Sequence, residues 1–253
     1  MKRRHCLAAC ALLAEPVGGQ ALRPLAIGFD EGSPPTMYSV GGMPAARGIY
    51  PAVVAAAFAS LGLECELQAL PFKRMLSAVD ASHMWAGAVI RTPEREQRWL
   101  FSQPYFLEKL AVFSGGAPYR GIADLGGKRV GVIRGWSYGD EFDGGRRRGD
   151  FLCEEVASDS LNFAKLLRGR LDYVVATELG GRLLARAPAY AGRVVESPVP
   201  LGATPIHLAA HRLQESVAAL LAQFNAAAER LHREGRIEAL VRREMASAAA
   251  LLP

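Results

Sequence analysis

Trp85-Ala86-Gly87-Ala88-Val89-Ile90 runs straight into Arg91-Thr92-Pro93-Glu94-Arg95-Glu96. The first six residues are apolar throughout, which suits a strand buried on both faces of a parallel sheet. The next six are charged and start where that strand ends. In open α/β sheets, ligands sit beyond the C-terminal ends of the strands. An Arg at such a place can hold a carboxylate through two parallel N–H bonds. The same run also fits a solvated helix face, with Arg91, Arg95 and Arg98 paired to Glu94 and Glu96. The residues alone do not choose between the two.

Outward from this stretch, apolar runs alternate with helical patterns. Leu25 to Phe29 reads as a strand ending in Asp30, and the Gly/Pro/Ser cluster from Gly32 to Pro35 as a loop. Pro51 suits the first turn of a helix through Phe58 that stops at Gly62. Glu64 to Leu70 alternates as a strand, and Phe72 to Val79 has one apolar helix face. The pattern repeats after Asp124. Strands are expected over Arg129 to Ile133, Phe151 to Val156 and Leu171 to Ala176. Gly135 to Phe142 is expected to enter a helix through a Gly-rich turn, and a second helix to run from Ser158 or Asp159 to Gly169. Pro205 to Ala209 is a further strand, followed by a long helix that Gly235 ends. Strands alternating with helices imply an α/β fold with mostly parallel sheets.

A second cluster is Arg134-Gly135-Trp136-Ser137-Tyr138-Gly139, between a strand and a helix. Free backbone N–H groups at such a turn attract anions, and Ser137 adds a hydroxyl. The plainer alternative is a tight turn with Trp136 in the core. No GxSxG elbow, P-loop, HExxH or helix-opening GxGxxG occurs. His5, His83, His207, His211 and His232 lie in no motif with a nucleophile. No His/Cys spacing suggests a metal site, and no cofactor is expected.

The 253 residues carry a formal charge of +5, too little to argue for a nucleic-acid partner. Arg146-Arg147-Arg148, flanked by glycines, reads as a solvated loop. Lys2, Arg3 and Arg4 precede a short apolar run, Cys6 to Ala14, and the small residues around Gly19-Gln20-Ala21. That is a secretory signal with cleavage expected after Ala21. Leu7-Ala8-Ala9-Cys10 resembles a lipobox, but the apolar stretch before Cys10 is short, and lipid anchoring is not expected. The mature chain would keep Cys65 and Cys153, both expected as buried free thiols.

In order and spacing, a set of short pieces resembles the extracellular solute-binding protein family 3, the polar amino acid receptors of ABC transporters. They are Ile27-Gly28-Phe29-Asp30, Gly48-Ile49-Tyr50-Pro51, Pro71-Phe72-Lys73-Arg74, Thr92-Pro93-Glu94-Arg95, Phe101-Ser102-Gln103-Pro104-Tyr105, Asp124 to Val132, and Gly169-Arg170-Leu171-Asp172. The resemblance implies a two-lobed, type II periplasmic binding protein-like fold with two hinge crossings. One lobe would hold residues 22–110 plus 206–253 and the other 111–205, with crossings near Lys109-Leu110 and Thr204-Pro205. It implies a periplasmic, monomeric receptor, not an enzyme, that closes over an amino acid or other carboxylate and hands it to a membrane permease. By the same resemblance, Arg95 would bind the carboxylate with Gly135, Trp136 and Ser137. Phe72, Trp136 or Tyr38 would pack on the ligand.

Two departures bear on the ligand. Where the family often has an acid for the α-ammonium, this chain has Thr177, with Glu178 next. The hydroxyl-bearing residues common before the TPER-like segment are here Ala88, Val89 and Ile90. Glu178, Asp30 or Glu31 could replace the missing acid. If Glu178 points away from the cleft, a carboxylate without a free ammonium, or one whose amine stays wet, is expected, because an unpaired buried ammonium loses hydration. If Glu178 or Asp30 points into the cleft, an ordinary α-amino acid is expected. Two rivals remain. One is an enzyme on the same scaffold, resembling cyclohexadienyl dehydratases, with Glu178 or Glu31 as its acid. The other is a sensory module.

Overall fold

The computed structural model describes residues 24–117 and 119–251. The signal expected over residues 1–21, with Cys6 and Cys10, lies outside the described residues. In chain order the elements begin with β1 (Leu25–Asp30), the short pair β2 (Gly32–Ser33) and β3 (Met37–Tyr38), α1 (Ile49–Ala59) and β4 (Cys65–Leu70). There follow α2 (Phe72–Asp80), β5 (Trp85–Val89), α3 (Pro93–Glu96), β6 (Trp99–Phe101) and β7 (Phe106–Ser114). Next come β8 (Arg129–Ile133), α4 (Asp140–Arg148), β9 (Leu152–Val156), α5 (Asp159–Leu167) and β10 (Tyr173–Thr177). The chain closes with α6 (Glu178–Ala185), β11 (Val195–Glu196), β12 (Gly202–His211), α7 (Val217–Arg233) and α8 (Arg236–Ala249).

The main strands lie in the order β4-β1-β5-β12-β7-β10-β8-β9. β1 runs parallel to β4 and β5, and β8 runs parallel to β9 and β10. These are two α/β lobes. They are joined by the antiparallel pair β7 and β12, matched from Gly202↔Leu110 to Ile206↔Phe106. β12 outruns the five residues expected of it because its first half pairs with β7 and its second with β5 and β6.

Each lobe buries its sheet between helices. In the first, Ile27, Phe29, Val53, Phe58, Leu208 and Phe224 join β1 and β12 to α1 and α7. On the other face Phe72, Met75 and Val79 of α2 pack on Ala86 and Trp99. In the second lobe Val130, Val132 and Val175 meet Phe142 of α4, and Phe113 and Val174 meet Phe163 of α5 and Leu184 of α6. Cys65 and Cys153 are free, half-buried thiols, one in each lobe's sheet, and burial pushes both up to about 11.

Two expectations need correction, and two others are filled out. The loop expected over Gly32 to Pro35 is in part a strand: Gly32 and Ser33 pair with Tyr38 and Met37 in a two-residue ladder. The Gly-rich turn from Gly135 leads into a helix that begins at Asp140, and Gly135 and Gly139, with φ 78° and 95°, hold the turn outside it. Arg146 to Arg148 form the last turn of α4 rather than a loop. Asp140, Glu141 and Asp143 stand in its first turn, so both ends complement the helix dipole. After the stop at Gly235 the chain resumes at once as α8, where only Ile237 and Ala248 are buried. No described helix is long and apolar enough to cross a membrane.

Candidate functional site

A cavity lies where the two lobes face each other. The first lobe lines it with Met37, Phe72, Ile90 and Arg95, the second with Trp136, Ser137 and Thr177, and the joining strands with Glu108, Leu110 and Thr204. About 40 Å3 is left inside, room for roughly three waters at ~10–15 Å3 each. The lobes are in contact around it. Elsewhere along the seam, a Cβ on Gly135 would lie 3.5 Å from Phe72, and one on Gly32 only 2.6 Å from the Ala157 carbonyl.

On the first wall, Thr92 caps α3, its Oγ1 accepting from the Arg95 N–H at 3.3 Å, and Pro93 occupies the first turn. This short helix turns the Arg95 side chain back along the end of β5. Its Nη1 donates to the Ile90 carbonyl at 2.9 Å. Its guanidinium lies over the rings of Phe72 and Trp99, 5.7 and 5.9 Å from their centroids. Arg95 is 9% exposed, and among the described residues no carboxylate pairs with it. Burial pushes its pKa down, because removal from water disfavours the charged form. Neighbouring Arg91 instead turns outward to Glu96, with Nε donating to Oε1 at 2.7 Å.

On the second wall, the turn after β8 has already engaged most of its polar atoms. Trp136 reaches across the seam, where Nε1 donates to Asp30 Oδ2 at 3.0 Å and the ring stands 6.2 Å from that of Phe72. Ser137 Oγ donates to Asp143, which also accepts from the Tyr138 N–H at 3.3 Å. The backbone N–H of Ser137 donates to no described residue. Asp30 also accepts from the Glu31 N–H at 2.8 Å, and burial pushes its carboxyl up to about 6.

The remaining sequence candidates divide. Thr177 is buried on the cavity wall, with its Oγ1 accepting from the Gly180 N–H at 3.2 Å as the cap of α6. Glu178 is absent from the wall and pairs with Arg182 at 2.9 Å; the same guanidinium holds Glu196 at 2.7 Å. Asp30 and Glu31 line a separate pocket behind Phe72, against Ile133 and Ala157. Tyr38 packs on Leu183 and Ala248, away from the cavity. Strand alternation sends neighbours to opposite faces, and it is Met37 that faces the cavity.

Sequence reasoning missed Glu108 and Tyr50. Glu108 is 3% exposed on β7 and lines the cavity, and its Oε2 accepts from the Tyr50 hydroxyl. Burial, with the like charges of Glu178 and Asp159, pushes its carboxyl up to about 8. An acid at an otherwise apolar position of a joining strand was the available signal. No group of three or more His, Cys, Asp or Glu able to hold a metal occurs among the described residues.

A model of the bacterial extracellular solute-binding proteins, family 3, matches residues 25–246. Among the curated proteins none matches the sequence. Solved structures share the fold. An ancestral arginine-binding protein bound to arginine is 22% identical at a TM-score of 0.73, over 87% of this chain and 97% of its own. The amino acid ABC transporter substrate-binding protein AbpA from Streptococcus pneumoniae, bound to L-arginine, is 18% identical at 0.74, over 89% and 95%. A histidine kinase sensor domain with similarity to periplasmic binding proteins is 21% identical at 0.74, over 87% and 95%.

Proposed function

The chain belongs to the bacterial extracellular solute-binding proteins, family 3, and from that premise we propose that it is a periplasmic receptor for a small carboxylate-bearing solute, an amino acid or a relative. It captures the solute between its lobes and delivers it to a membrane ABC permease. The observation that carries this reading is Arg95, a buried cation on the cavity wall with no acid paired to it among the described residues. Such a group is costly when removed from bulk water and is compensated by an anion. The Ser137 N–H on the opposite wall adds a second donor, so one carboxylate would bridge the lobes and favour their closure. Phe72 and Trp136 would pack on the solute.

We take residues 22–110 plus 206–253 and 111–205 as the lobes, hinged at the paired stretches of β7 and β12. Residues 1–21 are read as the secretory signal, and the mature chain as a monomer. Binding without turnover is favoured over an enzyme on the same scaffold. Glu178 and Glu31 lie off the cavity wall, and Glu108, the acid that does line it, is read below as a ligand-binding group.

The test is a thermal-shift screen of residues 22–253 against amino acids, amines and small carboxylates, followed by calorimetry. A ligand that binds only the folded state raises its stability by mass action. At least one carboxylate is expected to raise Tm, and Arg95→Ala to abolish the shift. A screen in which no carboxylate acts, or in which Arg95→Ala leaves the shift intact, rejects the reading. Uptake of the identified solute by cells lacking the chain separates delivery from signalling, since retained uptake overturns the transport half.

A further inference from the structure

Arg95 accounts for one end of the cavity, and Glu108 has no part in that account. Its carboxyl sits on the β7 segment that joins the lobes, buried and facing the same cavity. One oxygen accepts from the Tyr50 hydroxyl, and the other takes no bond among the described residues. No Lys, Arg or His pairs with it among the described residues. A carboxyl does not stand alone in an apolar wall without cost. The expected alternative acids are engaged elsewhere, Glu178 by Arg182 and Asp30 by Trp136.

We propose that Glu108, oriented by Tyr50, is a specificity-determining, cation-accepting subsite of the cleft, so that the ligand carries a protonated nitrogen as well as a carboxylate. This rests on the carboxylate reading of Arg95. It places the acid on a strand joining the lobes, not on the second-lobe loop at Thr177. The titratable and charged groups around Glu108 are Tyr50 on α1, Tyr105 just before β7, Asp159 on α5, Glu178 on α6 and Arg95 on α3. Apart from Arg95 and the two tyrosines these are acids, with Glu178 already paired to Arg182. The same acids and the burial hold Glu108 protonated near neutral pH, up to about 8. Accepting a ligand cation therefore expels that proton to solvent.

The experiment compares matched probes on wild type, Glu108→Gln and Arg95→Ala: the common L-amino acids against carboxylates of equal length without the amine, such as 4-carbamoylbutanoate for L-glutamine. Gln is isosteric with the neutral carboxyl, and the variant's unfolding curve checks that it folds. Wild type is expected to prefer the best-bound amino acid over its deaminated partner by tenfold or more. Glu108→Gln should lose that preference while keeping affinity for the deaminated partner. Calorimetry at pH 7 in phosphate and in Tris should report release of about one proton per ligand for wild type and none for Glu108→Gln. Equal binding of the deaminated partner to wild type, or a preference that survives Glu108→Gln, overturns the subsite while leaving Arg95 standing. If no carboxylate binds, or binding ignores Arg95→Ala, both readings fall together.

Discussion

The two walls of the cleft differ in what their polar groups are already doing. On the first lobe, Arg95 is buried with a single bond to the Ile90 carbonyl and no acid paired to it among the described residues. On the second, Trp136 and Ser137 have given their side-chain hydrogens to Asp30 and Asp143. Both walls looked like anion sites in the sequence, since both follow apolar strands. Residue type at a strand end locates a site, but the atoms left without a partner decide what it can hold.

The sharpest break of the contrast is at Arg95. Arg95→Ala should weaken binding of any carboxylate ligand by about 2–5 kcal/mol, as expected when one side of a desolvated pair is removed. Calorimetry reads this directly. Arg95→Met keeps most of the apolar stem over Phe72 and Trp99 while removing the charge. It should leave the ligand-free Tm equal to or above that of wild type, because an uncompensated buried cation is lost. A large drop in that Tm would make Arg95 a structural residue and erase the difference between the walls.

Trp136→Phe comes next. It keeps a ring beside Phe72 but leaves Asp30 Oδ2 without its donor across the seam. A hydrogen bond to a charged group contributes about 1.5–3 kcal/mol. In the parted lobes water would serve Asp30 instead, so the loss should fall on closure and appear as ligand affinity roughly 10- to 150-fold weaker. Affinity unchanged by this substitution would mean that the Trp136–Asp30 contact does not help hold the lobes together.

Glu108 belongs to neither wall and gives the pH test. Its carboxyl is held at about 8 by burial, against an ordinary value of 4.5, and that of Asp159 at about 7 against 3.8. The folded chain therefore holds these protons more tightly than the unfolded one. Stability is fully present below the ordinary carboxylate range and falls as pH rises to about 8. Buried His207, whose pKa is lowered by burial, has the opposite sign but acts only below about pH 6.5. From pH 6.5 to 8 at fixed ionic strength, urea unfolding should report a loss of at least about 1.4 kcal/mol, one pKa unit's worth. Glu108→Gln should reduce that slope. A level or rising profile would remove Glu108 from the list of buried neutral acids.

What could be read from the sequence follows the strength of local signals. β1, β4, β5 and β8 declared themselves by apolar runs or alternation bounded by Gly, Pro or charge. α8 did not, because few of its residues are buried and it follows a stop signal at Gly235. β7 entered only through family resemblance, since nothing local marks Phe106–Ser114 as a strand shared between lobes. Arg95 was legible as a candidate because it lies five residues beyond Ile90, where an apolar run ends. Glu108 was not, because its partner Tyr50 is 58 residues away. At Tyr38 the face was not legible, because in a strand one residue changes it, and the cavity is lined by Met37.

The smallest effect is expected at Ser137, and it bears most directly on the second wall. A serine hydroxyl has one hydrogen to give and two lone pairs to offer. Here the hydrogen goes to Asp143, so the oxygen can present only lone pairs to the cavity. A carboxylate meeting those lone pairs gains nothing, and under the proposed reading its bond on this wall would come from the Ser137 backbone N–H, which any residue at 137 supplies. Ser137→Ala should therefore change carboxylate affinity by less than about threefold, under 0.7 kcal/mol. It should lower stability by about 0.5–1.5 kcal/mol, the ordinary contribution of one internal hydrogen bond, through the freed Asp143. Asp143→Asn sharpens the test, since a neutral amide competes less well for the hydroxyl hydrogen and should leave it freer to turn to the ligand. Carboxylate affinity should then hold or rise in Asp143→Asn and be unmoved in Ser137→Ala. A loss of tenfold or more in Ser137→Ala would show that the hydroxyl leaves Asp143 when ligand binds, and the two walls would then be alike after all.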